Sequence, residues 1–222
     1  MIKTYLLDIN QINEKNFDVL FSSIKVYRQE KITKLSGKSM KFLSLGVELL
    51  IKKACDDFGI NYDNVEINFN EFGKPFFKNE KYFFNTSHSG KYAICVISDK
   101  EVGIDIQEIK EYKEKVAKHC FSKKELQYVE LSKDKADMFY RIWCLKESYS
   151  KCIGTGLGND LNKLEVGGVD KDVYVNDDKN YQMYENRFDN YRIAWCVNVS
   201  CNMKEKYSSS ISLIDLSNIK KE

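Results

Sequence analysis

An aspartate stands in the middle of an apolar run, Val102-Gly103-Ile104-Asp105-Ile106-Gln107. Alternating β-branched residues read as a strand. Burying an unpaired carboxylate in such a strand costs roughly several kcal/mol. The fold must therefore bring Asp105 a compensating partner, either a metal ion or a buried cation. Residues two apart on a strand point the same way, so Asp105 and Gln107 offer oxygen atoms to one side. Hard cations such as Mg²⁺ take oxygen ligands at about 2.1 Å and usually keep some water. An aspartate in a turn or an ordinary ion pair is the plainer alternative.

The rest of the chain supplies strands and amphipathic helices around this run. Lys3 to Ile9 and Tyr92 to Ser98 read as strands, and Val65, Ile67 and Phe69 alternate with polar residues. Leu43, Val47, Leu50 and Ala54 recur at helical spacing, with Gly59 as a stop signal. Ser122 to Glu125 reads as a capping box ahead of a short helix. A longer helix is predicted from about Ala136 to Ile153, ending at Gly154. Tyr191, Ile193, Trp195, Val197 and Val199 alternate with Arg192, Ala194, Cys196 and Asn198, which is a half-buried strand. Each half thus reads as a helix plus antiparallel sheet, an α+β chain.

Three further segments carry candidate chemistry. In Phe72-Gly73-Lys74-Pro75 the chain's one proline stiffens the backbone beside a lysine able to hold a phosphate. An ordinary surface turn explains the same residues. Phe84-Asn85-Thr86-Ser87-His88-Ser89-Gly90 reads as a loop between apolar runs, whose hydroxyls, histidine and backbone N–H groups could converge on an anion. A satisfied loop histidine is the alternative. In Trp143-Cys144-Leu145-Lys146-Glu147-Ser148-Tyr149-Ser150-Lys151, residues 143, 147 and 151 stack on one helix face. Glu147 could bind metal or accept a proton, and Lys151 could neutralise a phosphate. Taken alone, the pair reads first as a surface Glu–Lys bridge, a pattern too common on helices to carry a claim.

Composition narrows the classes. Lys and Arg number 35 against 33 Asp and Glu, a net charge of +2 that gives no global attraction to nucleic acid or membrane. Seven cysteines without a CxxC pair, and only two histidines, disfavour a zinc site and suit reduced thiols in a cytoplasmic protein. No signal peptide or membrane span of about 20 apolar residues is read.

The motifs in order, GKP, FNTSHSG, VGID, FSKKE and WCLKES with Lys151 four residues beyond the glutamate, resemble the Sfp-type 4′-phosphopantetheinyl transferases over roughly residues 20 to 160. The resemblance implies two similar α+β lobes, 1–102 and 103–222, related by a pseudo-twofold, with coenzyme A in the cleft between them. It implies Mg²⁺-dependent transfer of the 4′-phosphopantetheine group from coenzyme A to a serine of an acyl, peptidyl or polyketide carrier protein, with 3′,5′-adenosine bisphosphate leaving. Asp105 and Glu147 would ligate Mg²⁺, with Gln107 as the third oxygen donor. Glu147 would also be the base, direct or through water, and Lys151 would neutralise the diphosphate as it breaks. Arg28, Lys31, Lys74, Ser87 and His88 would hold the phosphates and adenine end of coenzyme A. A cytoplasmic monomer serving secondary-metabolite biosynthesis is the matching expectation.

This chain departs from the family pattern twice. Gln107 stands where many members carry a second acid, and Phe42 where many carry an arginine, with Lys38 or Lys41 as substitutes. These departures leave open a module that binds coenzyme A without turnover, and a Mg²⁺-dependent hydrolase is a further alternative. A carrier partner is expected to leave an exposed apolar strip from Phe121 to Leu131 beside Lys123 and Lys124, unless Leu126 and Val129 are core.

Overall fold

A computed structural model describes residues 1–156, 161–200 and 210–216. Strand β1 (Ile2–Asp8) leads through a short turn to α1 (Phe17–Ser22), α2 (Val26–Thr33) and the long α3 (Lys38–Asp57). Strands β2 (Ile67–Phe69), β3 (Pro75–Phe77), β4 (Phe83–Ser89), β5 (Tyr92–Ser98) and β6 (Val102–Glu108) follow. Helices α4 (Glu114–Cys120), α5 (Lys123–Leu131) and α6 (Lys135–Ile153) come next. The chain continues through β7 (Val166–Gly167), β8 (Tyr174–Val175), β9 (Tyr181–Phe188), β10 (Tyr191–Asn198) and β11 (Ile211–Leu213).

The α+β expectation holds, as a long helix laid on a sheet, made twice. The first sheet runs β11-β1-β5-β4 and carries α3; the second runs β6-β10-β9 and carries α6. β2 with β3, and β7 with β8, form two small ribbons. Among the described residues strand pairs are antiparallel except one: β11 lies parallel to β1, with Thr4 opposite Ile211, which brings β11 back to the first sheet. No helix among the described residues is long and apolar enough to cross a membrane.

Alternation along the strands sorts side chains between cores. Val102, Ile104 and Ile106 of β6, with Ile193, Trp195 and Val197 of β10, pack against Leu6, Ile94 and Val96 of the first sheet. Ala194 and Cys196 join the opposite core with Cys144, Leu145 and Cys152 of α6. On the other side, Tyr5, Leu7, Ala93, Cys95 and Ile97 meet Leu43, Leu50 and Ala54 of α3. Helix ends follow the capping chemistry read above. Ser122 and Glu125 form the reciprocal capping box of α5, and Gly154 closes α6 in the left-handed conformation at φ 76°.

Two expectations give way. Phe84 to Ser89 is not a loop: it lies in β4, paired along its length with β5. Its polar residues are satisfied sideways, across the seam to β6. Asn85 Oδ1 accepts from the Ile104 N–H at 3.0 Å, and Ser89 Oγ from the Glu108 N–H at 3.0 Å. The apolar strip from Phe121 to Leu131 is also absent, because Phe121 and Val129 are buried and Leu126 packs on the same core. Of that stretch, Leu131 stands out as an exposed large apolar side chain.

One glycine sets how close helix and strand can come. A Cβ on Gly103 would fall 2.2 Å from the Ser148 carbonyl oxygen and 2.3 Å from the Cys152 nitrogen, both backbone atoms of α6. Gly103→Ala must push α6 off β6, and overpacking of this kind costs about 1–3 kcal/mol. The expected result is a lower urea midpoint with an unchanged slope; an unchanged midpoint would mean the helix has room to step back.

Candidate active site

The close approach at Gly103 brings Asp105, two residues on, directly under α6. Asp105 is 1% exposed. Its Oδ1 accepts from Lys151 Nζ at 2.6 Å and from Ser87 Oγ at 2.8 Å; its Oδ2 accepts from Gln107 Nε2 at 3.0 Å. Lys151 also reaches Ser87 Oγ at 3.1 Å. The partner that the apolar strand demanded is thus a lysine from the neighbouring helix. The bridge of Lys151 is to Asp105, not to Glu147, so the surface Glu–Lys reading of this helix does not apply.

Glu147 sits one turn before Lys151 on α6 and is 5% exposed. Among the described residues no hydrogen bond reaches its carboxylate. Burial pushes its pKa up to about 7; the Asp105 charge adds to the rise and Lys151 opposes it. Burial also holds His88 below its ordinary value, with Lys151 adding to the effect and Asp105 opposing it.

These groups line one cleft of about 790 Å³, between the helix α2–α3 region on one side and β4, β6 and α6 on the other. Arg28, Ser87, His88, Asp105, Gln107, Glu147 and Lys151 all face it. Arg28 is aimed by a buried acid: its Nε lies 2.7 Å from Glu48 Oε2, whose other oxygen accepts from Tyr62 at 2.6 Å. Tyr140 and Trp143 extend the α6 wall, and Met40, Ser44 and Val47 form the α3 wall. The sequence held a signal for both features. Tyr140, Trp143, Glu147 and Lys151 follow helical spacing, and Glu48 interrupts the apolar stripe of α3.

Two expected residues stand elsewhere. Lys74 turns away from the cleft and donates to the Cys152 carbonyl at 2.6 Å, capping the last turn of α6 beside the bond from Asn70 to the Gly154 carbonyl at 2.8 Å. Burial pushes its ammonium pKa down. Lys31 lies over the rings of Tyr27 and Phe69, at 5.7 and 5.2 Å, and is not part of the cleft wall. Lys38 and Lys41 do not replace an arginine at 42 either. Both line a separate depression with Phe42, and Lys38 is paired with Glu14 at 2.9 Å.

A second lysine on the same helix has no part in the cleft. Lys146 is buried and donates to Glu125 at 2.6 Å, to the Cys120 carbonyl at 2.9 Å and to the Leu161 carbonyl at 3.0 Å. Glu125 in turn accepts from the Ser122 and Val166 N–H groups, both at 2.7 Å. The FSKKE and WCLKES motifs therefore meet in a lock that holds α4, α5 and α6 together.

Asp105 and Glu147, with the Gln107 amide, suit a hard divalent cation that completes its shell with phosphate oxygens and water. Among the described residues no group of three or more His, Cys, Asp or Glu side chains is arranged to hold a metal by itself. The donor set fits Mg²⁺ only as a shared site.

The raised pKa of Glu147 makes a sign-specific prediction. An unfolded chain gives up this proton near the ordinary value of 4.5 and the folded chain only near 7. Folded stability is therefore lost progressively as pH rises from about 4.5 to 7, and no further loss follows above that. Glu147→Gln lacks this loss. Without divalent cations, its melting temperature relative to the parent chain should climb between pH 5 and pH 8. A difference independent of pH would place the Glu147 titration elsewhere.

The family model described as "4′-phosphopantetheinyl transferase superfamily" matches residues 101–196, and that described as "4′-phosphopantetheinyl transferase, N-terminal" matches residues 11–100. The 4′-phosphopantetheinyl transferase gsp of Aneurinibacillus migulanus is 32% identical over 160 residues, covering 71% of this chain and 67% of that protein. The 4′-phosphopantetheinyl transferase Sfp of Bacillus subtilis (strain 168) is 29% identical over 160 residues, covering 70% and 71%. Among solved structures, a holo-(acyl-carrier-protein) synthase from Bacillus anthracis aligns with 44% of this chain and 94% of its own at 20% identity, with a TM-score of 0.40. On the matches of both halves and the 32% identity to a relative spanned over two thirds of its length, the chain belongs to the Sfp-type 4′-phosphopantetheinyl transferase family and is a transferase of that type.

Proposed function

We propose that this chain transfers the 4′-phosphopantetheine group from coenzyme A to a serine hydroxyl of a carrier protein, in a Mg²⁺-dependent reaction. The observation that carries the reading is the meeting of Asp105, Glu147 and Lys151 in one cleft with Arg28 and His88 on its walls. A buried acid pair beside cations suits a diphosphate that must be gripped, neutralised and broken. We read the lobes as 1–102 and 103–222, with β11 of the second segment returning to the sheet of the first and the cleft at their junction.

In this reading Asp105 and Glu147 would hold Mg²⁺ with the Gln107 amide oxygen, and the ion would supply charge neutralisation for the diphosphate. The carrier serine oxygen attacks the β-phosphorus, the bond to the bridging oxygen breaks, and 3′,5′-adenosine bisphosphate leaves. Lys151 follows the charge that develops on that oxygen. Arg28, preset by Glu48, takes a terminal phosphate, and His88 donates a hydrogen bond to another phosphate oxygen. The serine proton goes to Glu147, directly or through water; held on the ion this carboxylate would be a weaker base than when free, so its metal role comes first. Phosphoryl transfer needs positioning and charge neutralisation more than covalent chemistry, and these side chains supply both.

The test is mass spectrometry of several unrelated apo carriers incubated with the chain, coenzyme A and Mg²⁺. The expected result is a gain of one phosphopantetheinyl group. Glu147→Gln and Lys151→Met should lower the rate by about 100-fold or more. Arg28→Ala should raise KM for coenzyme A by about tenfold, the loss of one charge-assisted bond. Free phosphopantetheine instead of modified carrier would make the chain a hydrolase. Binding of coenzyme A without turnover on any carrier would make it a binding module.

A further inference from the structure

We propose that the free cleft is self-neutralised, so that the divalent cation enters together with the diphosphate and not before it, and that Gln107 and Lys151 enforce this order. The proposal rests on the diphosphate reading above. Both oxygens of Asp105 are already engaged. Lys151 and Ser87 hold Oδ1 at 2.6 and 2.8 Å, and Gln107 holds Oδ2 at 3.0 Å. A cation arriving alone must displace an ammonium from a buried carboxylate and gains only two acidic ligands. A hard cation of the size of Mg²⁺ gives up its water reluctantly for so small a set.

A diphosphate changes both sides of that balance. Its oxygens supply the missing ligands, and its charge offers Lys151 a second anionic partner, which frees Oδ1. Each ligand therefore favours the other, and the coupling must be reciprocal. Residue 107 sets the strength of the effect. As glutamine it is a neutral donor to Asp105. As glutamate it would place a second negative charge beside a buried one and invite a cation without substrate.

The experiment uses melting temperatures of the whole chain with Mg²⁺ alone, inorganic pyrophosphate alone, and both. For the parent chain, the shift with both should exceed the sum of the two single shifts. Gln107→Glu and Lys151→Met should each bind Mg²⁺ alone about tenfold more tightly by calorimetry, the effect of one charge unit near the site. A parent chain shifted as far by Mg²⁺ alone as by the pair overturns the proposal. So does unchanged binding of Mg²⁺ alone in every variant that keeps its fold by circular dichroism. If Gln107→Glu does not fold, Lys151→Met decides. Pyrophosphate makes this outcome independent of the transfer assay, which asks whether coenzyme A and a carrier are the substrates.

Discussion

The structure turns on one buried carboxylate. Asp105 is tied to three elements at once: Ser87 of β4, Gln107 of its own strand and Lys151 of α6. A hydrogen bond to a charged group contributes about 1.5–3 kcal/mol, and leaving the charge unpaired costs more. The bond from Lys151 therefore fixes the rotation of α6 about its axis, while those from Ser87 and Gln107 hold the carboxylate it meets. With Lys151 pinned downward, Glu147 one turn earlier has to face the same hollow. Gly103 makes this possible, since only a residue without a Cβ lets the helix backbone lie against β6.

Neighbouring residues on α6 show how the same burial serves opposite ends. Lys146 is saturated, with three acceptors and a counter-ion that is itself filled by two backbone donors. Buried ion pairs hold a geometry well when every lone pair is satisfied, and this one fixes the helices around the cleft. Glu147, next in sequence, is buried with no hydrogen bond from the described residues and carries a pKa near 7. Packing alone gives no reason to keep an acid there. A buried acid whose proton is held up by burial is a candidate for chemistry, which is the role proposed for it above.

Much of this was legible in the sequence where the signal is local. The stop at Gly154, the capping box at Ser122 and the alternation in β10 depend on neighbours within a few residues, and the helices and strands follow them closely. The acid in an apolar strand announced that a partner was needed, and Lys151 stood in the motif four residues beyond Glu147. What failed depends on contacts the sequence does not bring together. β4 looked like a loop because its polar side chains bond across the seam to a strand 19 residues away. The parallel pairing of β11 with β1 joins segments about 200 residues apart, where no local pattern reports it. Lys74 and Lys31 show a further limit. A motif names a residue type, but a long side chain chooses among acceptors within its reach, and here a helix carbonyl and two aromatic faces win.

The position of the cleft follows from how the two sheets meet. β4 and β6 run beside each other, yet no backbone ladder joins them among the described residues. Side chains bridge the gap instead, and a seam made of side chains can divide its bonds between structure and ligand. Asn85 and Ser89 serve the seam, Thr86 and His88 face the cleft, and Ser87 does both. Across from them, α2 offers a guanidinium held by the buried Glu48 of α3. The cation on that wall and the paired acids on the other are fixed by separate cores, so the charges keep their spacing without touching. Under the proposed function, a ligand spanning them meets the guanidinium with an anionic end and the Asp105–Lys151 pair with the other. The diphosphate and divalent cation of that proposal would fit this arrangement of charge.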